Sequence, residues 1–158
     1  MFDDIVWKEG EELTQKYMTK QGYKILWTNY STHGVELDII ALLSKKVQKS
    51  NLKKAYKSKI HTLNKSNKDE FKQTKKILKH KFKQKMLILD DLLVITEVKA
   101  RSSNKYGIGA EAVDDYKMAN IKKATMFLIK EKALESLQVR FDVSSVDGLN
   151  ITYIEDVF

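Results

Sequence analysis

A glutamate and a lysine, Glu97 and Lys99, lie two residues apart near the end of an apolar stretch, LLVITEVKAR, at Leu92–Arg101. The composition predicts a strand, and a period of two places both charges on the face that begins with Leu93 and Ile95. Charges at a core-facing strand end are costly unless they are paired or bind something. Two explanations stay open: a structural Glu–Lys pair, or half of a site that cleaves phosphodiester bonds with a metal ion.

Two further acids stand at positions where apolar residues are expected. Asp38 lies inside VELDIIALL, at Val35–Leu43, which reads as a second strand although Asp disfavours strands. Glu11 follows Trp7 by four residues and precedes Thr14 by three, so it shares their stripe on a predicted helix. Glu11 either reaches water at the edge of that stripe or has a function, whereas a buried Asp in an apolar strand favours a function.

Carboxylates that converge from adjacent elements form an oxygen-ligand site suited to Mg²⁺ or Mn²⁺. A lysine beside them can orient a water molecule or stabilise charge on a pentavalent phosphate. The metal would lower the pKa of bound water and offset charge on the scissile phosphate. The residue types therefore indicate the chemistry of phosphodiester hydrolysis.

The elements that must position these residues follow an order of helix, three strands, helix and two strands. This α-β-β-β-α-β-β order predicts an α/β sandwich with a mixed central sheet flanked by helices. The second helix carries Lys117 on its inward stripe, where the side chain either extends to water or points at the same site as Lys99. The predicted elements are a helix from Asp3 to about Gln21, strands at 23–30, Val35–Leu43 and Leu92–Arg101, a helix at 111 to about 135 with the stripe Val113, Lys117, Ile121, Ala124 and Leu128, and strands at 139–146 and 151–154; polar turns are expected at 31–34 and 147–150 and a loop at 102–109.

The length of 158 residues suits a single domain, 1–158, with its own core. The chain has no cysteine, which excludes disulfides and thiolate metal sites. No apolar run resembles a signal peptide or is long enough to span a membrane. A soluble, cytoplasmic protein is therefore the expectation.

The net charge of +8 is unevenly distributed. Residues 45–85 hold 16 lysines against Asp69 and Glu70, a net charge of +14, so the remainder of the chain carries −6. We interpret 44–85 as an insertion within the domain, formed by two Lys-rich amphipathic helices joined by a polar turn, with disorder as the alternative. A basic segment of this kind is either a nucleic-acid-binding arm or a merely solvated insert.

Lysine outnumbers arginine 27 to 2, which gives the two arginines weight. Arg101 follows the EVKA run, and Arg140 begins RFDV. A guanidinium retained in such a composition hints at a need for its planar fork, toward a carboxylate or a phosphate.

The motifs together resemble one family. They are GEELTQKYMTKQGYKILWTNY (10–30), VELDIIA (35–41), EVKAR (97–101), GIGAEAVDDYKMANIKKATMFL (107–128) and RFDV (140–143). In this order they are similar to the YraN-like bacterial family, which is related to Holliday junction resolvases within the PD-(D/E)xK, restriction-endonuclease-like superfamily. The resemblance covers essentially the whole chain except 44–85.

The resemblance implies a restriction-endonuclease-like fold and a set of site residues. Asp38 and Glu97 would ligate Mg²⁺ or Mn²⁺ together with the Val98 carbonyl. Glu11 would complete or support the site, and Lys99 would be the catalytic lysine. The supporting positions that match the family pattern are Glu36, Arg101, Lys117 and Arg140.

The favoured function is a metal-dependent nuclease that hydrolyses DNA, with branched or structured DNA as an expected substrate. A junction resolvase would need two sites and hence a homodimer. The alternative is a non-catalytic nucleic-acid-binding protein on a nuclease scaffold. A protein-interaction adaptor with basic helices ranks last, because it leaves the buried carboxylates unexplained.

Overall fold

The computed structural model describes residues 2–63, 66–101 and 115–157, and of residues 2–7 and Arg101 it describes the backbone alone. Within these ranges the chain forms four helices and five strands. The helices are α1 (Phe2–Lys20), α2 (Lys45–Thr62), α3 (Lys68–Leu87) and α4 (Asp115–Glu131). The strands are β1 (Lys24–Thr32), β2 (Val35–Leu43), β3 (Leu92–Arg101), β4 (Gln138–Asp147) and β5 (Asn150–Ile154).

The five strands form one mixed sheet in the order β1-β2-β3-β4-β5. Only the β3–β4 pair is parallel, and α4 lies between these two strands in the chain. Parallel neighbours need such a crossover, whereas antiparallel neighbours can be joined by tight turns. Apart from α2 and α3, the elements follow the predicted α-β-β-β-α-β-β order. The predicted fold class is confirmed, and the sheet is compatible with a restriction-endonuclease-like fold.

Helix α1 packs against the face of β3 that carries Val98 and Ala100. The closest approach is at Gly10, which is buried against both side chains. Four residues later, the buried Thr14 hydroxyl lies 2.7 Å from the Ser144 hydroxyl of β4. A small residue at Gly10 thus lets the first helix lie close to the sheet.

The close approach predicts that Gly10→Ala destabilises the protein. A methyl group on Gly10 would lie 2.6 Å from the Ala100 Cβ, which is closer than real Cβ contacts. Overpacking of this kind costs about 1–3 kcal/mol of unfolding free energy. If Gly10 did not lie against Ala100, Ala at this mid-helix position would instead stabilise the protein by about 0.5–1 kcal/mol, because Gly is the poorer helix former. Urea denaturation therefore distinguishes the two by sign.

The matched control for this prediction is Gly10→Ala combined with Ala100→Gly, which removes the methyl group that clashes. We expect the double variant to lose less stability than the sum of the two single losses. Stabilisation by Gly10→Ala alone would contradict the packing described here.

Helix α4 covers the opposite face of the sheet. Its buried side chains pack with Leu93 and Ile95 of β3, in a cluster that also includes Leu37, Ile40 and Val143. The inward residues of α4 are those predicted from the helical spacing: Ile121, Ala124 and Leu128, with Thr125 beside them. The site residues at the ends of β2 and β3 therefore lie on a sheet held between two helices.

The turn between β1 and β2 is shorter than the predicted turn at 31–34. Strands β1 and β2 pair up to Thr32 and Val35, which leaves His33 and Gly34 as a two-residue turn. Both turn residues have positive φ, at 50° and 75°. Two positive φ values in a two-residue hairpin loop are typical of a type I′ turn, whose twist matches that of paired strands. This is why β1 extends two residues beyond the predicted end at Tyr30.

Helix α4 ends at Glu131, earlier than the predicted end near residue 135. Ala133 has a φ of 53°, in the left-handed region, and the Leu134 N–H donates to the Ile129 carbonyl at 2.9 Å. This is the Schellman arrangement that ends many helices. Gly usually fills the left-handed position, so its occupation by Ala hid the helix end from the sequence.

Some predictions lie outside the described residues. These are the loop at 102–109, the start of the second long helix at 111–114 with Val113, and the side chains of Asp3, Trp7 and Arg101.

Residues Ser44–Asp91 form a second compact unit, called the helical hairpin. It contains α2 and α3, so the basic segment is helical, the first of the two predicted alternatives. The Ser44 hydroxyl and the Asn67 side chain accept hydrogen bonds from the first turns of α2 and α3, as helix caps do. The Tyr56 and Phe82 rings stack with centroids 4.6 Å apart, which joins the two helices.

Of the helices that the structure describes, none is long and apolar enough to cross a membrane.

Candidate active site

Asp38 and Glu97 come together where β2 and β3 stop pairing. The antiparallel ladder between these strands runs from Leu43–Leu92 to Ile39–Thr96, so Asp38 and Glu97 stand one step beyond its last pair. At this point the Val98 N–H donates to Asp38 Oδ2 at 2.7 Å. The Asp38 carboxylate thus takes the place of a backbone acceptor, and its position is fixed by the neighbouring strand.

The electrostatic environment of Asp38 is unfavourable for its negative charge. Burial, then the negative charge of Glu97, raise the pKa of Asp38 to about 7, and Glu11 adds to the rise. The hydrogen bond from the Val98 N–H and the positive charge of Lys117 act in the opposite direction. Carboxylates from β3 and α1 therefore act on Asp38 together, and their effect and that of burial exceed that of Lys117.

Glu97 is almost fully buried, with 6% of its surface exposed. Its Oε1 forms an ion pair with the Lys117 ammonium, which reaches it from the first turn of α4 while remaining about half exposed. A buried carboxylate needs a partner of this kind or a cation. Of the two alternatives for Lys117, the structure shows the side chain directed at the site.

The other predicted site residues differ in their burial and in their contacts. Lys99 is partly buried and lies on the same face of β3 as Glu97 by strand alternation. Glu11 Oε2 accepts a hydrogen bond from the Asn29 side chain at 3.0 Å. Glu36 is exposed, although alternation puts it on the same face of β2 as Asp38. The Arg101 side chain lies outside the described residues.

Asn29 is a residue that the sequence analysis missed. It adopts a φ of 50° within β1, a conformation that Asn tolerates better than most residues. Its side chain holds Glu11, which is the one acid of the site that comes from a helix. The signal was an Asn inside a strand, where its propensity is poor.

The donors at this site fit a hard divalent cation held by few protein ligands. Across 2–63, 66–101 and 115–157 no group of three His, Asp or Glu side chains is arranged to hold a metal. The donors present are the Asp38 and Glu97 carboxylates, with the backbone of Val98 beside them. Mg²⁺ is commonly bound by one or two carboxylates with several waters and substrate phosphates, so two acids suffice for it.

Comparison with known proteins identifies the family. A sequence model of the uncharacterised protein family UPF0102 matches residues 10–78 and 71–146. The chain belongs to this family. UPF0102 is the YraN-like family, so the resemblance predicted from the motifs is confirmed. The two matched stretches overlap inside α3, within the helical hairpin.

UPF0102 proteins from several bacteria match nearly the whole chain. One from Persephonella marina is 27% identical over 158 residues, which cover 100% of this chain and 97% of the relative. One from Syntrophus aciditrophicus is 29% identical over 96% of this chain and 86% of the relative. One from Fusobacterium nucleatum is 31% identical over 94% of this chain and 87% of the relative.

In this UPF0102 chain, Arg140 belongs to a different cluster from Asp38 and Glu97. By strand alternation it shares a face of β4 with Asp142 and Ser144, and Ser144 contacts α1. Its guanidinium donates to both oxygens of Asp142, at 2.8 and 2.7 Å, and to the Tyr23 hydroxyl at 2.7 Å. The planar guanidinium of Arg140 thus binds a carboxylate, that of Asp142, which is one of the two partners expected for it from the sequence.

The sequence analysis included Asp142 in the RFDV motif but assigned it no role, although it is 1% exposed. Its Oδ2 also accepts from the Tyr153 hydroxyl at 2.8 Å, and its Oδ1 from the Asp156 N–H at 3.0 Å. Burial raises the pKa of both Tyr23 and Tyr153, so their hydroxyls remain protonated donors near neutral pH. This network joins β4, β5 and the residues after α1, which indicates a structural role.

Proposed function

We propose that this UPF0102 chain is a metal-dependent nuclease that hydrolyses phosphodiester bonds in DNA. The observation that carries the proposal is the pair of the partly buried Asp38 and the buried Glu97, in which burial and then the charge of Glu97 raise the pKa of Asp38 to about 7. A structure that keeps two carboxylates close in a poorly solvated position gains by binding a divalent cation there. Branched or structured DNA is the expected substrate, by the resemblance to junction resolvases.

Asp38 and Glu97 would hold Mg²⁺ or Mn²⁺, with the Val98 carbonyl as the expected third ligand. When bound, the ion would lower the pKa of a water molecule and offset negative charge on the scissile phosphate. The Val98 N–H orients Asp38 through its 2.7 Å hydrogen bond.

The remaining residues of the site are assigned roles by their charge and position. Lys99 would orient the attacking water and stabilise negative charge that develops on the phosphate. Lys117 balances the charge of Glu97, with which it is paired. Glu11, held by Asn29, would support the acidic pair from the opposite helix layer.

A homodimer and a cytoplasmic location belong to the same proposal. Two strands must be cut to resolve a four-way junction, and a two-fold symmetric pair of chains supplies two sites.

The second candidate is a nucleic-acid-binding protein without catalysis. The Lys117–Glu97 ion pair favours it, because this pair satisfies the buried carboxylate without a metal. This candidate predicts binding that depends steeply on salt but is unaffected by EDTA.

Cleavage of labelled DNA in parallel with Lys99→Ala separates the two candidates. The substrates are a single strand, a duplex, a flap and a four-way junction, each with Mg²⁺, Mn²⁺ or EDTA. For a nuclease we expect metal-dependent cutting that falls by about 10²–10³-fold in Lys99→Ala, because a charge-stabilising group is lost. Binding of uncut DNA in EDTA should be retained.

The matched control is Lys123→Ala, which removes an exposed lysine of α4. It should cut as the wild type does. Equal residual activity in the wild type and Lys99→Ala would identify a contaminating nuclease and defeat the proposal. Salt-sensitive binding without cutting by either protein would favour the second candidate.

A further inference from the structure

The lysines of the helical hairpin recur at helical spacing. On α2, Lys46, Lys49, Lys53 and Lys57 follow one another at three or four residues, and on α3 the same is true of Lys68, Lys72, Lys76, Lys79 and Lys83. Residues spaced in this way lie on one side of a helix. All of these lysines are exposed except Lys49, which is partly buried. Each helix therefore carries a continuous basic stripe.

The acids of the hairpin lie at its two ends. Asp69 and Glu70 are in the first turn of α3, where the helix dipole favours negative charge. Asp90 lies 3.0 Å from the Lys45 ammonium, and Asp91 accepts from the Lys45 backbone N–H. Between 46 and 59, and again between 72 and 85, the sequence contains no acid. Along these two stretches, no acid of the hairpin itself offsets the charge of the lysines.

The aromatic side chains of α2 and α3 are partly buried, whereas the aliphatic Ile77, Leu87 and Ile88 are exposed. Tyr56 and Phe82 stack on each other, and Leu52, Ile60 and Phe71 are also partly buried. A helix that binds a membrane surface inserts a free apolar face, and a protein that binds single strands stacks bases on exposed aromatic rings. The hairpin uses its aromatic rings internally, and lysines separate Ile77 from Leu87 and Ile88 along α3, so no continuous apolar face is formed. Both observations favour a partner recognised chiefly by charge.

We propose that the helical hairpin Ser44–Asp91 is an arm that binds the phosphate backbone of duplex DNA through its two lysine stripes. The choice of DNA over another polyanion rests on the proposed function. A four-lysine group on α2 also lines an open groove with Ser44, Ser50 and one acid, Asp91, which accepts from the Lys45 backbone N–H: Lys45, Lys46, Lys49 and Lys53. Ammonium and hydroxyl groups together are typical partners of phosphate oxygens.

The dimensions of the stripes suit this partner. At 1.5 Å per residue, the stripe from Lys46 to Lys57 is about 16 Å long and that from Lys68 to Lys83 about 22 Å. A duplex presents one negative charge per about 1.7 Å of its axis, so each stripe faces several phosphates. Lysine binds phosphate as a point charge without a fixed fork, so the contacts would be independent of sequence.

The test is the salt dependence of binding by the full chain. Fluorescence anisotropy with a labelled duplex, in EDTA so that no metal-dependent cutting occurs, gives the slope of log K against log salt concentration. Two variants each replace four lysines of one stripe: Lys46, Lys49, Lys53 and Lys57→Gln, and Lys72, Lys76, Lys79 and Lys83→Gln. Each lost phosphate contact reduces the slope by about 0.9, so four contacts correspond to about 3.6.

Two controls separate the stripes from net charge and from folding. Exchange of the exposed Lys16, Lys20, Lys24 and Lys130 for Gln makes the same change in net charge outside the hairpin. Exchange of a stripe for four arginines keeps its charge. We expect both controls to keep the wild-type slope, and circular dichroism should show unchanged helix content in every variant.

A smaller slope in either stripe variant, with both controls unchanged, supports the arm. Equal slopes in the stripe variants and the wild type overturn it, as does tighter binding to vesicles of anionic lipid than to the duplex. Binding is measured without metal, so it is independent of cleavage. If the chain binds through the stripes but cuts no substrate, the proposed nuclease function is overturned and the proposed DNA-binding arm is supported. Conversely, cutting that is unaffected by both stripe variants, with unchanged slopes, removes the arm and leaves the nuclease.

Discussion

Replacing Asp38 with asparagine is expected to stabilise the protein at neutral pH and to abolish cleavage at the same time. The substitution removes a negative charge that burial and Glu97 both disfavour. An asparagine side chain still offers a carbonyl oxygen to the Val98 N–H, so the local hydrogen bond is retained. On the proposed function, cleavage would be lost because an amide is a much poorer ligand for Mg²⁺ than a carboxylate.

The gain in stability should depend on pH in a defined direction. The pKa of Asp38 is about 7 in the folded protein and about 4 in an unfolded chain, so the folded state binds the proton more tightly. The wild type therefore loses stability as pH rises from about 4 to about 7, and the loss is complete above pH 7. A difference between these pKa values corresponds to at most about 4 kcal/mol. The advantage of Asp38→Asn should be near zero at pH 4 and largest at pH 8.

Urea denaturation of both proteins at several pH values, without metal, measures this difference. The matched control is Glu36→Gln, an exposed acid two residues earlier on β2, which should change neither stability nor its pH dependence. Saturating Mg²⁺ should stabilise the wild type more at pH 8 than at pH 5, and should have little effect on Asp38→Asn. A variant that is less stable than the wild type at pH 8 would show that the Asp38 charge is compensated by contacts other than those described.

Much of this site could be predicted because side chains alternate between the two faces of a strand, so the sequence of a strand indicates which residues share a face. The predicted bounds of β2 and β3 are those found, and alternation alone placed Asp38 and Glu97 on faces where acids are unexpected. Adjacent strands then bring the two residues together. Strand alternation does not predict where the β2–β3 pairing ends. It ends after Ile39–Thr96, and there the Asp38 carboxylate accepts a hydrogen bond from the Val98 N–H.

The partners of Arg140 show a different limit. A signal was present, since Arg140 and Asp142 are two residues apart on a strand and must share a face. The contributions of Tyr23, Tyr153 and the Asp156 N–H depend on the parallel register of β3 with β4 and on the return of the chain after β5. These are long-range contacts, and the period of a single strand carries no information about them.

Arg140→Met is expected to cost about 3–5 kcal/mol of unfolding free energy, because removing one partner of a buried pair leaves an uncompensated charge. The Asp142 carboxylate is fully buried, and Arg140 supplies two of its hydrogen bonds at 2.8 and 2.7 Å. Arg140→Lys should cost less but remain destabilising. A single ammonium cannot reproduce a fork that reaches both Asp142 oxygens and the Tyr23 hydroxyl.

Denaturation of two further variants separates the buried charge from lost packing. Combining Arg140→Met with Asp142→Asn removes both charges of the pair. The amide oxygen can still accept from the Asp156 N–H, and the amide NH2 can donate to the Tyr153 hydroxyl, so this double variant should be more stable than Arg140→Met alone. The ion pair between Lys132 and Glu131 is matched in chemistry but largely exposed, and Lys132→Met should cost far less stability than Arg140→Met. Similar losses for Lys132→Met and Arg140→Met would contradict a structural role for the network. A large loss of stability in Arg140→Met alone, relieved by Asp142→Asn, would show that the buried Arg140–Asp142 pair stabilises this face of β4. The sheet that carries Asp38 and Glu97 would then be held in place partly by residues outside the candidate site.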